Sequence, residues 1–330
     1  MNYLKYTSIA VLILLSTNIA LACDICGCFM GITPYDNQSN VGVLYRYRSF
    51  NGYENMNSKV FPANSDFFIP SNADGSIPDH HHGDPTDYEI FRTMEVRGRY
   101  FIHQRVELNA IVPYNSNSYN FHEKTTTLSG LGDVNLFAGY HLIRKLKATG
   151  LSQRLIGGAG VKLPTGRNDI RNNAGKRFLL LNQPGTGSTD GFVYLNYMIG
   201  LKKFGLSWNA SYKLNGRNKQ EESIANSTTQ FVNVFYTIPV SKNWKMMPSV
   251  QTFYEYTRGE KISGKLTQEH EMNNLMTGLG LDLFYKNLAL NTGVQLNAYN
   301  APSHHLKSAG RVHVGLTYNF NQLYYMFNKK

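Results

Sequence analysis

The stretch "RVHVGLTYNF" (residues 311–320) decides the fold, because apolar side chains alternate along it with polar or small ones. Val314 and Leu316 are apolar, whereas His313 and Asn319, on the alternate positions, are polar. Successive side chains of a strand point to opposite faces, so one face of this segment suits lipid and the other suits water. The segment therefore predicts a membrane-spanning β-strand.

The same alternation recurs along the chain and predicts about twelve strands. They lie near residues 41–50, 88–100, 105–114, 131–141, 153–164, 191–201, 204–215, 228–238, 245–257, 273–285, 288–299 and 310–320. Short links alternate with long polar loops, near 51–87, 115–130, 165–190, 216–227, 258–272 and 300–309. Outer-membrane barrels have an even strand number, short periplasmic turns and long external loops. We therefore predict an all-β, antiparallel transmembrane β-barrel over residues 41–320, with a C-terminal tail at 321–330.

The N-terminus has the pattern of a secretory signal peptide. Lys5 precedes an apolar run at residues 9–15, and Ala-Leu-Ala closes the segment at 20–22. We expect residues 1–22 to be removed, either by ordinary signal cleavage or with lipidation of Cys23. Later segments fall short of the roughly 18 to 20 consecutive apolar residues that a spanning helix needs, so strands must cross the membrane. The expected location is the outer membrane of a Gram-negative bacterium.

Three cysteines begin the expected mature chain, in "CDICGC". Cys23, Cys26 and Cys28 could bind Cu(I) or Zn(II) through their thiolates, within a periplasmic segment at 23–40. A disulfide, or acylation of Cys23 with the other two paired, remains open. A histidine cluster in the first long loop adds metal-binding side chains to the prediction: His80, His81 and His82.

Charged residues crowd the water-facing side of the first three predicted strands. They are Arg46, Arg48, Glu95, Arg97, Arg99, Arg105 and Glu107. One interpretation is a pore lining that selects solutes by charge. The interpretation that we favour is a ladder of ion pairs that fills the lumen, because twelve strands enclose only a modest space.

Other function classes have weak support. The formal charge of +11 is scattered rather than clustered, which does not favour nucleic-acid binding. His103, His141 and His313 have no evident serine partner for nucleophilic catalysis. The "GGAG" at 157–160 lies inside a predicted strand and lacks the following lysine of a phosphate loop. We expect no enzyme activity.

Two stretches, "SGLGDVNLFAGYHL" (129–142) and "GGAGVKLPTGRND" (157–169), resemble the transporter barrels grouped with the phenol-degradation meta-pathway proteins. The opening segment "CDICGCFMGITPYDNQSNVGVLYRYRSF" (23–50) resembles outer-membrane proteins of Bacteroidetes, which often carry cysteines after the signal peptide. The resemblance implies a barrel and a transport role. The cysteine-rich start departs from the meta-pathway barrels, so their aromatic substrates are not carried over.

The sequence thus predicts a channel or transporter for a small solute or a metal ion. Its expected partners are outer-membrane lipid and that solute or ion, with room for a periplasmic partner at the N-terminal segment. The alternative is a metal-binding or adhesive surface protein without transport activity.

Overall fold

The computed structural model describes residues 38–51, 88–121, 124–145, 150–262, 265–300 and 308–320. Within these residues, fifteen strands form one antiparallel sheet. Twelve of them build the wall: β1 Ser39–Asn51, β2 Tyr88–His103, β3 Val106–Phe121, β5 Val134–Lys145, β6 Leu151–Leu163, β7 Asp190–Leu201, β8 Phe204–Leu214, β10 Ser227–Tyr236, β12 Trp244–Ile262, β13 Lys265–Tyr285, β14 Leu288–Asn300 and β15 Ser308–Phe320. The others are short: β4 Lys124–Leu131, β9 Glu222–Ile224 and β11 Ile238–Pro239.

The sheet closes on itself through the pairing of β1 with β15, in which Tyr45 lies opposite Val314. Each other wall strand pairs with the next wall strand along the chain, for example β10 with β12, where Phe231 lies opposite Phe253. Closure leaves no free edge, so the backbone groups of the wall are bonded within the sheet. The predicted all-β barrel of about twelve antiparallel strands is confirmed.

The two faces of the wall differ as the alternation predicts. Along β15, Val314 and Leu316 are 43% and 53% exposed on the outside, whereas Arg311 and His313 are 1% and 3% exposed on the inside. Aromatic side chains meet on the wall where the short turns lie, for example Trp244 and Tyr285, with ring centroids 4.6 Å apart. An apolar outer belt with interfacial aromatics is the lipid-facing surface of a transmembrane barrel.

The turns at one end of the barrel are short. Lys202 and Lys286 each begin a two-residue hairpin turn, and both adopt positive φ, 55° and 50°. Such turns match the twist of neighbouring strands. We call this end the inner end and the opposite one, which carries the long connections, the outer end. Outer-membrane barrels place the short turns in the periplasm.

Two predicted loops are wrong, because their residues continue the sheet beyond the lipid-facing belt. Residues 115–121 of β3 pair with residues 124–130 of β4, and residues 258–262 and 265–272 belong to β12 and β13. Outside the membrane both faces of a strand contact water, so the lipid-facing alternation fades although pairing continues. In the part of the chain that the structure describes, no helix is long and apolar enough to cross a membrane.

Candidate functional site

The outer mouth of the barrel is narrowed by the connection between β6 and β7, residues 164–189, which we call the inward loop. Its C-terminal half is buried over residues 182–186, and a 3₁₀ turn at Leu180–Asn182 packs Leu180 against Ile224. From the wall, Asn115 Nδ2 donates to the carbonyl oxygen of Pro184 over 2.6 Å. Asn117 Nδ2 donates to the carbonyl oxygen of Asn182 over 3.2 Å. The loop therefore lies inside the mouth rather than above it.

Asp133 fixes both ends of the inward loop. Its Oδ1 accepts a hydrogen bond from the backbone nitrogen of Gly166 over 2.9 Å, and its Oδ2 accepts one from that of Thr186 over 2.8 Å. Backbone donors to a buried carboxylate form charge-assisted hydrogen bonds, which are stronger than neutral ones. A Cβ added at Gly166 would lie 2.8 Å from the Cα of Gly185, so the two ends meet closely there.

A buried charge network continues from this anchor along the wall. Lys162 Nζ lies 2.8 Å from Asp133 Oδ2 and 2.8 Å from Asp190 Oδ2. Lys213 Nζ lies 2.9 Å from Asp190 Oδ2. All four side chains are at most 2% exposed. Two lysines thus balance two aspartates, which makes burial of these charges tolerable.

A second group of ion pairs lies between β1, β2 and β12. Glu95 contacts both Arg46 and Arg97, and Arg97 Nε donates to it over 2.6 Å. Arg48 on β1 forms a bidentate pair with Glu255 on β12, with Nη1 2.9 Å from Oε2. Since β13, β14 and β15 separate these strands along the wall, this pair crosses part of the lumen.

At the inner end, Glu107 lies 3.3 Å from His141 Nε2, and both side chains are fully buried. Asn109 Nδ2 also donates to Glu107 over 3.3 Å. The imidazole ring packs edge-on against Phe101, with centroids 5.4 Å apart. This cluster fills one side of the inner lumen.

Beside it the interior contains a cavity of about 90 Å³, counted for the centres of water-sized spheres. Its lining mixes apolar and polar side chains, and the polar ones include Arg97, Arg99, Asn109, Asn209, Asn233, Gln251, Asp282, Asn291 and His313. The volume holds several water molecules, since one needs roughly 10 to 15 Å³ on this measure. Asp282 and Asn291 sit opposite each other on β13 and β14.

A family model described as "Putative MetA-pathway of phenol degradation" matches residues 88–313, about two thirds of the chain. The chain belongs to this family. Both stretches that carried the resemblance lie within the matched part. In the structure they meet at the mouth, where Asp133 of the first bonds Lys162 and Gly166 of the second.

Solved structures similar to this member of the phenol-degradation family are outer-membrane barrels. An outer-membrane channel from Pseudomonas putida F1 superposes with a TM-score of 0.60 at 15% identity, covering 88% of this chain and all of that one. The β domain of the Bordetella autotransporter BrkA gives 0.49 at 11% identity, covering 86% and 100%. Curated proteins give no match to the sequence. At 15% identity the similarity to the Pseudomonas channel shows the fold.

The charged residues predicted on the water-facing side separate into two groups. Six face the interior: Arg46, Arg48, Glu95, Arg97, Arg99 and Glu107. The exception is Arg105, which was wrongly predicted to face the lumen. It lies exposed in the turn between β2 and β3, because β3 begins one residue later, at Val106.

The predicted metal ligands Cys23, Cys26, Cys28, His80, His81 and His82 lie outside the described residues. The segment 1–37 and the tail 321–330 lie outside them as well. Among the residues that are described, no group of three or more His, Cys, Asp or Glu side chains could hold a metal ion. Metal binding therefore stays a prediction.

Proposed function

We propose that this protein is a channel of the outer membrane that passes a small polar solute. The observation that carries the proposal is the polar interior of a closed barrel whose outside is apolar. On the inside of β7 and β8, Asn196, Asn209 and Ser211 are at most 6% exposed, whereas the neighbouring Leu195 on the outside is 42% exposed. Barrels with a polar interior and an apolar belt are the architecture of aqueous channels.

Small size is supported by the side chains and segments that narrow the lumen. The inward loop fills part of the mouth, and the Arg48–Glu255 pair crosses the interior further in. Twelve strands enclose a lumen that side chains can largely occupy. The passage that remains suits molecules of a few heavy atoms rather than oligomers.

The lining also favours a polar solute over a hydrocarbon. Asn109, Asn209, Asn233 and Gln251 present amide groups to the inner cavity. A polar solute that enters from water gives up its hydrogen bonds to water, and the amide groups can replace these bonds. An apolar solute would instead leave the amide groups unpaired. Although the family description refers to phenol degradation, the lining of this chain is the basis of our proposal.

The N-terminal segment supplies the export route in this proposal. We propose that residues 1–22 are a signal peptide, that 23–40 form a periplasmic segment open to a partner, and that 321–330 are a tail. A metal ion as the transported species depends on residues outside those described, so it is not part of the proposal. A metal-binding or adhesive surface protein without transport is the competing function.

Planar-bilayer recording of the purified protein tests the channel directly. We expect discrete current steps of small conductance, because the lumen is polar but narrowed. The matched control is the same preparation after heat denaturation, which should give no steps. A folded protein, identified by its heat-dependent electrophoretic mobility, that gives neither current steps nor uptake of small sugars into liposomes would contradict the proposal and favour the surface-protein function.

A further inference from the structure

Six buried carboxylates face the interior among the residues that the structure describes. Five have a lysine, arginine or histidine nitrogen within 3.3 Å: Glu95, Glu107, Asp133, Asp190 and Glu255. An ion pair offsets part of the cost of removing a carboxylate from water. These five side chains are therefore explained by the architecture of the barrel.

Asp282 is the exception in this set. It is 7% exposed, and its hydrogen-bond partner is the neutral amide of Asn291, directly opposite on β14. An amide compensates a buried carboxylate less than a cation does. A positively charged group that reached Asp282 would therefore gain a strong, charge-assisted interaction.

Asp282 lines the inner cavity together with a second buried hydrogen-bond acceptor. Asn233, on β10, is 3% exposed, and its Oδ1 has no hydrogen-bond partner among the described residues. Both side chains line the same cavity. A buried oxygen without a donor costs free energy until a ligand or a water supplies one. The wall around Asp282 thus presents acceptors to the cavity.

Inward-facing glycines make the space for this arrangement. A Cβ added at Gly280 would lie 2.0 Å from Gln251 Nε2, and one added at Gly293 would lie 2.8 Å from Gln251 Oε1. The Gln251 side chain therefore lies close against the wall, over the two glycines. Because these two positions carry no side chain, Gln251 can lie against the wall instead of extending further into the cavity beside Asp282.

Arg97 and Arg99 line the same cavity from β2. A simple cation would be attracted by Asp282 but repelled by Arg99 and by the Arg46–Glu95–Arg97 group, which carries a net positive charge. A simple anion would be attracted by these arginines but repelled by Asp282. A molecule with both charges satisfies both, since guanidinium groups recognise carboxylates and carboxylates recognise ammonium groups.

We propose that this cavity is a binding site for a small zwitterion, with the ammonium group at Asp282, the carboxylate towards Arg97 and Arg99, and Asn233 as a further acceptor in the lining. The proposal rests on the channel function and names the solute class that the channel would take. The cavity of about 90 Å³ limits such a solute to the size of the smallest amino acids.

Calorimetric titration of the folded barrel in detergent tests the site with glycine, methylammonium and acetate as probes. We expect glycine to bind more tightly than either single-charge probe. Asp282→Asn should weaken glycine binding about tenfold or more, because it removes a charge-assisted hydrogen bond. Acetate binding should stay the same or increase. Asn233→Ala should weaken glycine binding about threefold. The matched control is Asp169→Asn, which changes an exposed carboxylate of the inward loop.

Equal glycine affinity in the parent and in Asp282→Asn, or no glycine binding by the folded parent, would overturn the site. If Asp282→Asn does not fold, the Asn233→Ala titration decides. The channel is judged separately, by conductance. Glycine binding without current steps would support the site and refute the channel, whereas current steps without glycine binding would refute the site alone.

Discussion

The outer mouth and the inner cavity of this barrel bury the same kinds of side chain and use them differently. At the mouth, Lys162 lies within 2.8 Å of two aspartates and holds a loop in place. At the cavity, Asp282 faces open space with an amide as its partner. Buried carboxylates in the interior are therefore structural where a cation pairs with them, and Asp282, whose partner is an amide, is available to a solute.

Strand register produces this difference. Lys162 is directly opposite Asp190 on the neighbouring strand, so opposite charges meet across the pair. Asp282 is opposite Asn291 on one side and Met247 on the other, so neither neighbour is a cation. Cross-strand neighbours are the closest contacts that a side chain has in a sheet. The identity of the opposite residue therefore decides which role a buried carboxylate takes.

Removal of the mouth anchor should have the largest effect. Asp133→Ala leaves Lys162 with one carboxylate partner instead of two and releases the backbone nitrogens of Gly166 and Thr186. We expect a loss of about 3 kcal/mol in stability, because a buried ion pair is broken. We also expect trypsin to cut after Arg171 in the released loop. Heat-dependent mobility and limited proteolysis measure the two effects.

The control for this variant is Asp169→Ala, a carboxylate in the same loop that is exposed. It should leave both the mobility transition and the cleavage rate near those of the parent. If Asp133→Ala behaved like this control, the aspartate would not be what holds the loop in the mouth.

The pair that crosses the lumen should respond differently to single and double replacement. Arg48→Met leaves the fully buried Glu255 without its arginine, and we expect it to cost about 3 kcal/mol. Arg48→Met combined with Glu255→Met should recover most of this loss, because the carboxylate that Arg48→Met leaves without its arginine is then removed as well. Thermal midpoints of the folded form measure both. A double variant less stable than either single one would show that the pair itself supplies the stability.

Arg97 should give the smallest effect, one on selectivity rather than on folding. It lines the cavity and bonds Glu95. Arg97→Ala should shift the ratio of cation to anion permeability towards cations by about twofold, since local potentials in such sites are a few kT. Reversal potentials under a salt gradient measure the ratio. Arg105→Ala, in an exposed turn, is the control, and an equal shift in both variants would exclude a specific role for Arg97.

The sequence alone predicted the wall well because lipid imposes a strict pattern on it. All twelve wall strands were placed to within a few residues where lipid meets one face. Beyond the membrane the pattern disappears: residues 115–118 are polar on both faces, and the prediction of a loop there was wrong because they continue β3. The alternation detects lipid contact, and hydrogen bonding carries the sheet further.

The site was predicted only in part, for a related reason. Arg46, Arg48 and Glu95 could be assigned to the inner face from their phase in the strand. The partner of Arg48 could not be assigned in this way, because Glu255 is reached across the lumen and its position depends on the curvature of the whole barrel. Lys213, between Tyr212 and Leu214, has the same inward phase, so its position inside the barrel could have been predicted from the alternation. Asp282 also has the inward phase. The neutral residues opposite it could not be predicted, because they depend on the register of the neighbouring strands.

The charge clusters also differ in how far along the chain their members lie, which bears on the order of assembly. Lys162 bonds Asp133 across 29 residues and Thr186 bonds Asp133 across 53, whereas Arg48 reaches Glu255 across 207. Contacts between residues close in sequence form with less loss of chain entropy and therefore earlier. The mouth can thus take shape while the barrel is still an open sheet. The Arg48–Glu255 bridge, in contrast, joins β1 to β12, which are brought to face each other when β1 pairs with β15. We therefore expect this bridge to form only when the barrel closes.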